Sequence, residues 1–216
     1  MRKVVRRTHK FASTKDLILN TALRIASVEG LAGLTIGKLA KAVGMSKSGL
    51  FAHFEAKDNL QLMVLKMASI RFIGKVLKPA FSEPRGEPRI RAIFENWKEY
   101  IEDRSDLPGG SVFIAASFEL DDQPGPLRDF VLEAQKNLVD NLKKAARISV
   151  EEGHFRKDLD LGQFAWQLYA FFLGYHHFNR LLQDPKAQQY LEKAFEDLLK
   201  SARKGDTQQK TQRAAN

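Results

Sequence analysis

The chain has 216 residues, 44% of them hydrophobic, enough for one large or two modest domains. It contains no cysteine, which excludes disulfides, thiol catalysis and cysteine-ligated metal. The net charge of +9 is unevenly placed: residues 1–57 hold 11 Lys/Arg against 3 Asp/Glu, whereas residues 58–216 hold 24 against 23. A basic block is either a solvated face or a surface that attracts phosphate. There is no apolar run of about eighteen residues, and no apolar segment follows the charged N-terminus, so neither a membrane span nor a secretory signal is expected. A cytoplasmic protein with no membrane partner fits these features.

In chain order, residues 1–12 form a basic arm carrying Arg2, Lys3, Arg6, Arg7 and Lys10. A helix is predicted over 14–29, with Ser13 and Asp16 as capping-box residues and Gly30 as its stop. Ile36, Leu39, Ala40 and Val43 then recur at i, i+3, i+4 and i+7, one face of a short helix capped by Thr35. Gly44 supplies the left-handed residue that ends it. Ser46 is a second N-cap, with Met45 and Leu50 placed for a hydrophobic staple. Two short helices across a tight glycine turn make a helix-turn-helix.

A longer helix is predicted over 57–78, ended by Pro79, as a connector to the remainder. Further helices follow over 88–104, 109–120, 126–153, 161–183 and 187–204, giving an all-α chain of about nine helices. Within 109–120, Ser111-Val-Phe-Ile has some β-propensity, but the Ala-rich second half favours helix. Residues 205–216 are polar and expected to be disordered. The division is thus 1–57 (arm and helix-turn-helix), 58–204 (helical C-terminal domain) and 205–216 (tail).

The helix from Leu161 is apolar nearly all round, so both its sides must be covered. Either it is central to one monomer's core, or it forms a subunit interface. The interface reading uses Phe164, Leu168 and Phe172 with Leu191, Phe195 and Leu198 of the last helix.

With Leu50 and Phe54 facing inward, Lys47, Ser48, Phe51 and Ala52 project outward from the second helix of the motif. The N-terminal end of that helix is the part that enters a major groove. Lys47 reaches phosphate or guanine acceptors, Ser48 base or backbone, Gly49 permits close approach, and the helix end capped by Thr35 offers N–H groups to phosphate.

The stretch LTIGKLAKAVGMSKSGLFAHFEAKDNL, with Leu-Phe-Ala-His-Phe before Glu-Ala-Lys, resembles the DNA-binding domain of the tetracycline-repressor-like (TetR) family of bacterial regulators over residues 13–62. The segment PGGSVFIAASFELDDQPGPLRD is similar to one branch of that family's C-terminal domains. The resemblance implies an all-helical homodimer whose last two helices form the interface, and a C-terminal ligand cavity that controls affinity for operator DNA. It also places Phe51, His53 and Lys57 at positions that contact backbone phosphate. Phe51 departs from the family's usual tyrosine and has no hydroxyl to donate.

No catalytic activity is expected. The five histidines (His9, His53, His154, His176 and His177) show no metal-ligand spacing, and no phosphate loop, nucleophile elbow or dinucleotide fingerprint is present. Neither a cofactor nor a metal is implied. The candidate lining of an effector cavity is Phe94, Trp97, Phe113, Phe118, Phe172, Tyr175 and His176, suited to a small apolar or aromatic effector. The competing reading is an architectural DNA-binding protein of the same fold without an inducer. A cavity separates the two.

Overall fold

The computed structural model describes residues 14–203. The basic arm, His9, the Ser13 cap and the tail from 205 onward lie outside the described residues. The described chain is all-helical, with no β-structure beyond an isolated bridge between Phe155 and Arg203.

Helix α1 (Thr14–Gly33) contains a break at Gly30, whose φ of 73° and ψ of 175° are open only to glycine. The predicted stop is therefore a kink, after which Leu31 to Gly33 add one more turn. Helix α2 (Ile36–Val43) starts at Thr35, whose hydroxyl accepts from the Lys38 N–H at 3.2 Å. It ends at Gly44 in the left-handed region (φ 68°), and the Met45 N–H closes back onto the Ala40 carbonyl at 3.0 Å. Helix α3 (Lys47–Phe54) starts at Ser46, whose hydroxyl accepts from the Gly49 N–H at 3.0 Å. Leu39, Ala40, Leu50 and Phe54 are buried, as are Ile18, Ala22 and Leu23 of α1, and the three helices contribute to one apolar core.

Helix α4 (Lys57–Phe72) does not stop before Pro79. It continues through a π-helical turn (Ile73–Leu77) and a last turn (Lys78–Ala80). Proline has no N–H, and its ring crowds the carbonyl four residues back. The chain accommodates it by widening: the Lys78 N–H reaches the Ile73 carbonyl five residues earlier, and the Asn96 side-chain amide donates to the Val76 carbonyl at 3.0 Å.

Five more helices complete the fold: α5 (Glu87–Glu102), α6 (Val112–Glu119), α7 (Pro126–Glu151), α8 (Leu161–Arg180) and α9 (Ala187–Ala202). The 109–120 segment is helical, as its Ala-rich half implies. The C-terminal core is aromatic. Trp97 stacks on Phe172 with ring centroids 4.0 Å apart, and Phe94 stacks on Phe195 at 3.8 Å. Arg91 pairs with Glu87 and Glu196, and Arg203 pairs with Glu87, which ties α5 to α9 around this core.

The interface expectation for α8 and α9 is corrected here. Phe164, Leu168, Phe172, Leu191, Phe195 and Leu198 are at most 5% exposed within a single chain. Phe172 stacks on Trp97 and Phe195 on Phe94, both of α5, while Leu191 lies at the edge of an apolar groove with Ala170, Gly174 and Phe178. The monomer-core alternative accounts for this stripe.

Candidate DNA interface and effector cavity

On α3 the inward side chains are Leu50 and Phe54, and the outward ones are Lys47, Ser48, Phe51, Ala52 and His53, all exposed. Phe51 is 51% exposed. The Ser48 hydroxyl lies 3.2 Å from that of Ser46, at the first turn of the helix. Gly49 is half-buried, and a methyl group there would sit 3.1 Å from the Ser46 hydroxyl.

Lys47 arches over the start of α2. A Cβ on Gly37 would meet its Cε at 3.3 Å and its ammonium at 3.7 Å. The lysine charge and the positive end of α2, capped by the exposed Thr35, thus converge on one spot, where an anion is stabilised by both. Lys57 opens α4 and donates from its ammonium to the Ala32 carbonyl at 3.2 Å, which holds it beside the α1–α2 turn. Thr35, Lys47, Ser48, Phe51, His53 and Lys57 are exposed on the three-helix head and the start of α4, and Gly49 is half-buried.

A cavity of about 260 Å³ lies in the C-terminal domain, framed by sixteen residues of α4 and its π-turn, α5, α6 with its cap, α7 and α8. Phe72, Trp97, Phe113, Phe130 and Tyr169 provide its aromatic walls, and Ile73 and Leu77 bring the π-turn to it. π-turns within α-helices recur at functional sites. Of the seven lining residues expected from the sequence, Trp97 and Phe113 line it. Phe94 and Phe172 are packed behind Trp97 in the core. Phe118 is 65% exposed on the outer face of α6. Tyr175 donates to the Glu102 carboxylate and faces α5 and α9 instead.

His176 sits against Gly110 and Arg180, half-buried, with no partner for its Nε2 among the described residues. Burial first, and then the Arg180 guanidinium, pushes its pKa from the ordinary 6.5 down to about 4. The folded protein thus keeps this imidazole neutral where the unfolded chain would protonate it. The stability tied to the group is present above about pH 6.5 and is lost as the pH falls toward 4. Urea denaturation of His176→Gln is expected to show a shallower loss of stability over that window than the parent protein. Equal slopes would contradict this.

Sequence periodicity missed Ser69, Phe72, Phe130, Glu133, Asn137, Asn141 and Tyr169 as lining. A signal was present on α7. Phe130, Ala134 and Leu138 form one ridge at four-residue spacing, and Glu133, Asn137 and Asn141 form the adjoining polar ridge.

The head and the cavity share two helices. α4 runs from Lys57, bonded to the Ala32 carbonyl of the head, to the π-turn in the cavity wall. α6 has Ser111, Phe113 and Ile114 at the cavity, and at its far end Glu119 accepts from the Leu31 N–H at 2.9 Å and the Ala32 N–H at 2.5 Å. The Gly30 kink leaves those two N–H groups without helical partners, and one carboxylate takes both. The Gln61 side chain donates to the Leu31 carbonyl at 2.5 Å from α4, closing the same junction.

Comparison with known proteins agrees with this geometry. Residues 18–62 match the family profile described as bacterial regulatory proteins, tetR family, and residues 86–195 match the tetracyclin repressor-like C-terminal domain. The HTH-type transcriptional regulator AcrR of Shigella flexneri is 36% identical over 47 residues, a match that spans only 22% of this chain and 22% of that relative. A TetR-family regulator from Cytophaga hutchinsonii superposes with a TM-score of 0.77 at 21% identity, covering 91% of this chain and 100% of that one. The structure of AibR in complex with isovaleryl coenzyme A and operator DNA superposes with a TM-score of 0.65 at 21% identity, covering 82% and 92%. The profile matches cover both the head and more than half of the chain, and they coincide with the helix-turn-helix built above. The chain belongs to the TetR family of bacterial transcription regulators.

Proposed function

We propose that the protein is a homodimeric repressor that occupies a pseudo-palindromic operator and leaves it when a small effector fills the C-terminal cavity. The observation that carries this reading is the sharing of α4 and α6 between the DNA-facing head and the cavity wall. An architectural DNA-binding protein needs no such cavity. AibR, similar in fold, was seen with both a ligand and operator DNA. On this reading residues 1–57 bind DNA, 58–204 sense the effector and dimerise, and 205–216 are a tail, in a cytoplasmic protein.

Thr35, Lys47, His53 and Lys57 position the head on phosphates, while Ser48, Gly49 and Phe51 meet the groove. Phe51, which lacks a phenolic hydroxyl, offers an apolar contact to a sugar or a thymine methyl. For the dimer, the buried stripe is replaced by an exposed one. Trp166, Ala170, Gly174 and Phe178 recur every four residues along α8, beside Tyr190 and Ala194 of α9. The small central residues allow close helix approach, and the flanking aromatics supply area to bury.

Selection of bound sequences from a random DNA pool, followed by footprinting, tests the proposal. Two symmetric half-sites are expected, because site symmetry mirrors dimer symmetry. A single half-site held by a monomer would sink it. Lys57→Ala is expected to weaken binding to all sequences and lower the salt slope by about one. Ser48→Ala is expected to reorder preferences by about 1–3 kcal/mol at one base position. A Lys57→Ala protein with altered preference but undiminished affinity would reverse the assignment.

A further inference from the structure

The cavity's charge is as informative as its size. Glu133 is the only charged side chain among the sixteen residues that line it, and no Lys, Arg or His is among them. Glu133 stands on the polar ridge of α7, one helical step from Phe130 and Ala134, where the cavity opens toward solvent. The Asn137 amide donates to Glu133 Oε1 at 3.0 Å, which orients the carboxylate. Its other oxygen has no hydrogen bond, and no cation pairs with it among the described residues. Tyr169, Phe113, Trp97 and Phe72 line the same cavity, Trp97 buried and the other three half-buried. Aromatic faces carry negative electrostatic potential and attract a cation, as does the unpaired carboxylate.

Resting on the effector reading above, we propose that the cavity takes a hydrophobic monoamine, cationic at neutral pH. Its aryl or alkyl body seats among Phe72, Trp97 and Phe113, and its ammonium group meets Glu133 at the mouth. A carboxylic acid or phosphate ester would bring its charge against Glu133 with no basic partner in the lining, so anionic effectors are disfavoured. A neutral molecule of the same shape keeps the apolar contacts but leaves the carboxylate unpaired. Asn137 and Asn141 provide additional polar atoms beside the ammonium position.

The test uses the full chain and three probes that share one carbon skeleton: 4-phenylbutylamine, 4-phenylbutan-1-ol and 4-phenylbutanoate. Affinities are measured by calorimetry, with quenching of Trp97 fluorescence as a second readout and Trp97→Phe as its control. The amine is expected to bind about tenfold more tightly than the alcohol, the gain associated with roughly 1.4 kcal/mol from a charge-assisted contact. The butanoate is expected to bind more weakly than either. In Glu133→Gln, nearly isosteric and at the cavity mouth, the amine should fall to the affinity of the alcohol while the alcohol is unchanged. Circular dichroism establishes that the variant is folded.

If the alcohol binds as well as the amine, or if Glu133→Gln leaves the amine's affinity intact, the cationic class is wrong and the cavity remains an effector site. If none of the three probes binds, both the class and the effector reading are overturned. Tighter binding of the butanoate than of the amine would reverse the sign of the proposal.

Discussion

Gly109→Ala is expected to lower stability by about 4 kcal/mol, near the upper end for single substitutions. A Cβ at this position would overlap the Ser27 carbonyl group and the Val28 nitrogen, all backbone atoms of α1. No side chain can swing aside, so either α1 or the loop before α6 must move. That movement disrupts a dense local set of contacts. The Gly109 N–H donates to the Ser27 hydroxyl at 3.1 Å, and Arg24 donates to the Ser105 and Asp106 carbonyls. Arg71 pairs with Asp106, and Lys75 bridges Asp103 and Asp106 at 2.9 Å. For a chain of this size the melting temperature should fall by roughly 8–16 °C. The same loop packs against α1 of the head, so on the proposed function surviving folded protein should bind DNA with a weakened response to effector. Thermal melts followed by DNA titrations check both parts. A melting temperature within a degree or two of the parent would show that the loop relaxes freely.

Phe172→Asp is expected to unfold the protein rather than produce monomers. Phe172 is fully buried, stacked on Trp97 at 4.0 Å and 5.5 Å from Phe94. Replacing it removes an aromatic side chain worth about 3–5 kcal/mol and leaves a carboxylate without a partner. Together these approach the whole stability of a typical domain, about 5–15 kcal/mol. By contrast, Phe178 is 39% exposed and Trp166 is 62% exposed on the outward stripe of α8. Trp166→Asp and Phe178→Asp should fold normally and run as monomers, because each places an unpaired charge only in the proposed dimer contact. Light scattering with circular dichroism separates the outcomes. Folded dimers from both outward variants would show that the interface lies elsewhere.

The two substitutions also show how far local pattern carries. Thr35, Gly44 and Ser46 act on atoms within four residues of themselves, so the caps, the turn and the outward set from Lys47 to His53 were legible in the sequence. The concentration of basic charge before residue 58 is likewise a linear property of the chain, and it falls on the segment that contains the helix-turn-helix. Helix existence over 87–202 followed from 3.6-residue periodicity and from proline and glycine punctuation.

Tertiary structure alone decided what each apolar face meets. Periodicity assigns Phe172 and Phe178 to faces of one helix, but burial is a sum over side chains distant in sequence. Only the packed chain shows Phe172 spent in the core, Phe118 in solvent and Phe113 at a cavity wall. The same holds for Glu119, whose partners at Leu31 and Ala32 lie 88 and 87 residues away, and for Gly109, shaped by the Ser27 backbone. Pro79 marked a disturbance in α4, but not that the helix widens into a π-turn whose Val76 carbonyl accepts from Asn96 of α5. What the sequence determined by itself was every feature set by interactions within about one helical turn. The division of the aromatics among core, cavity and surface, and the junction that joins the head to the cavity, came from long-range packing, because no local pattern encodes which distant partner fills a face.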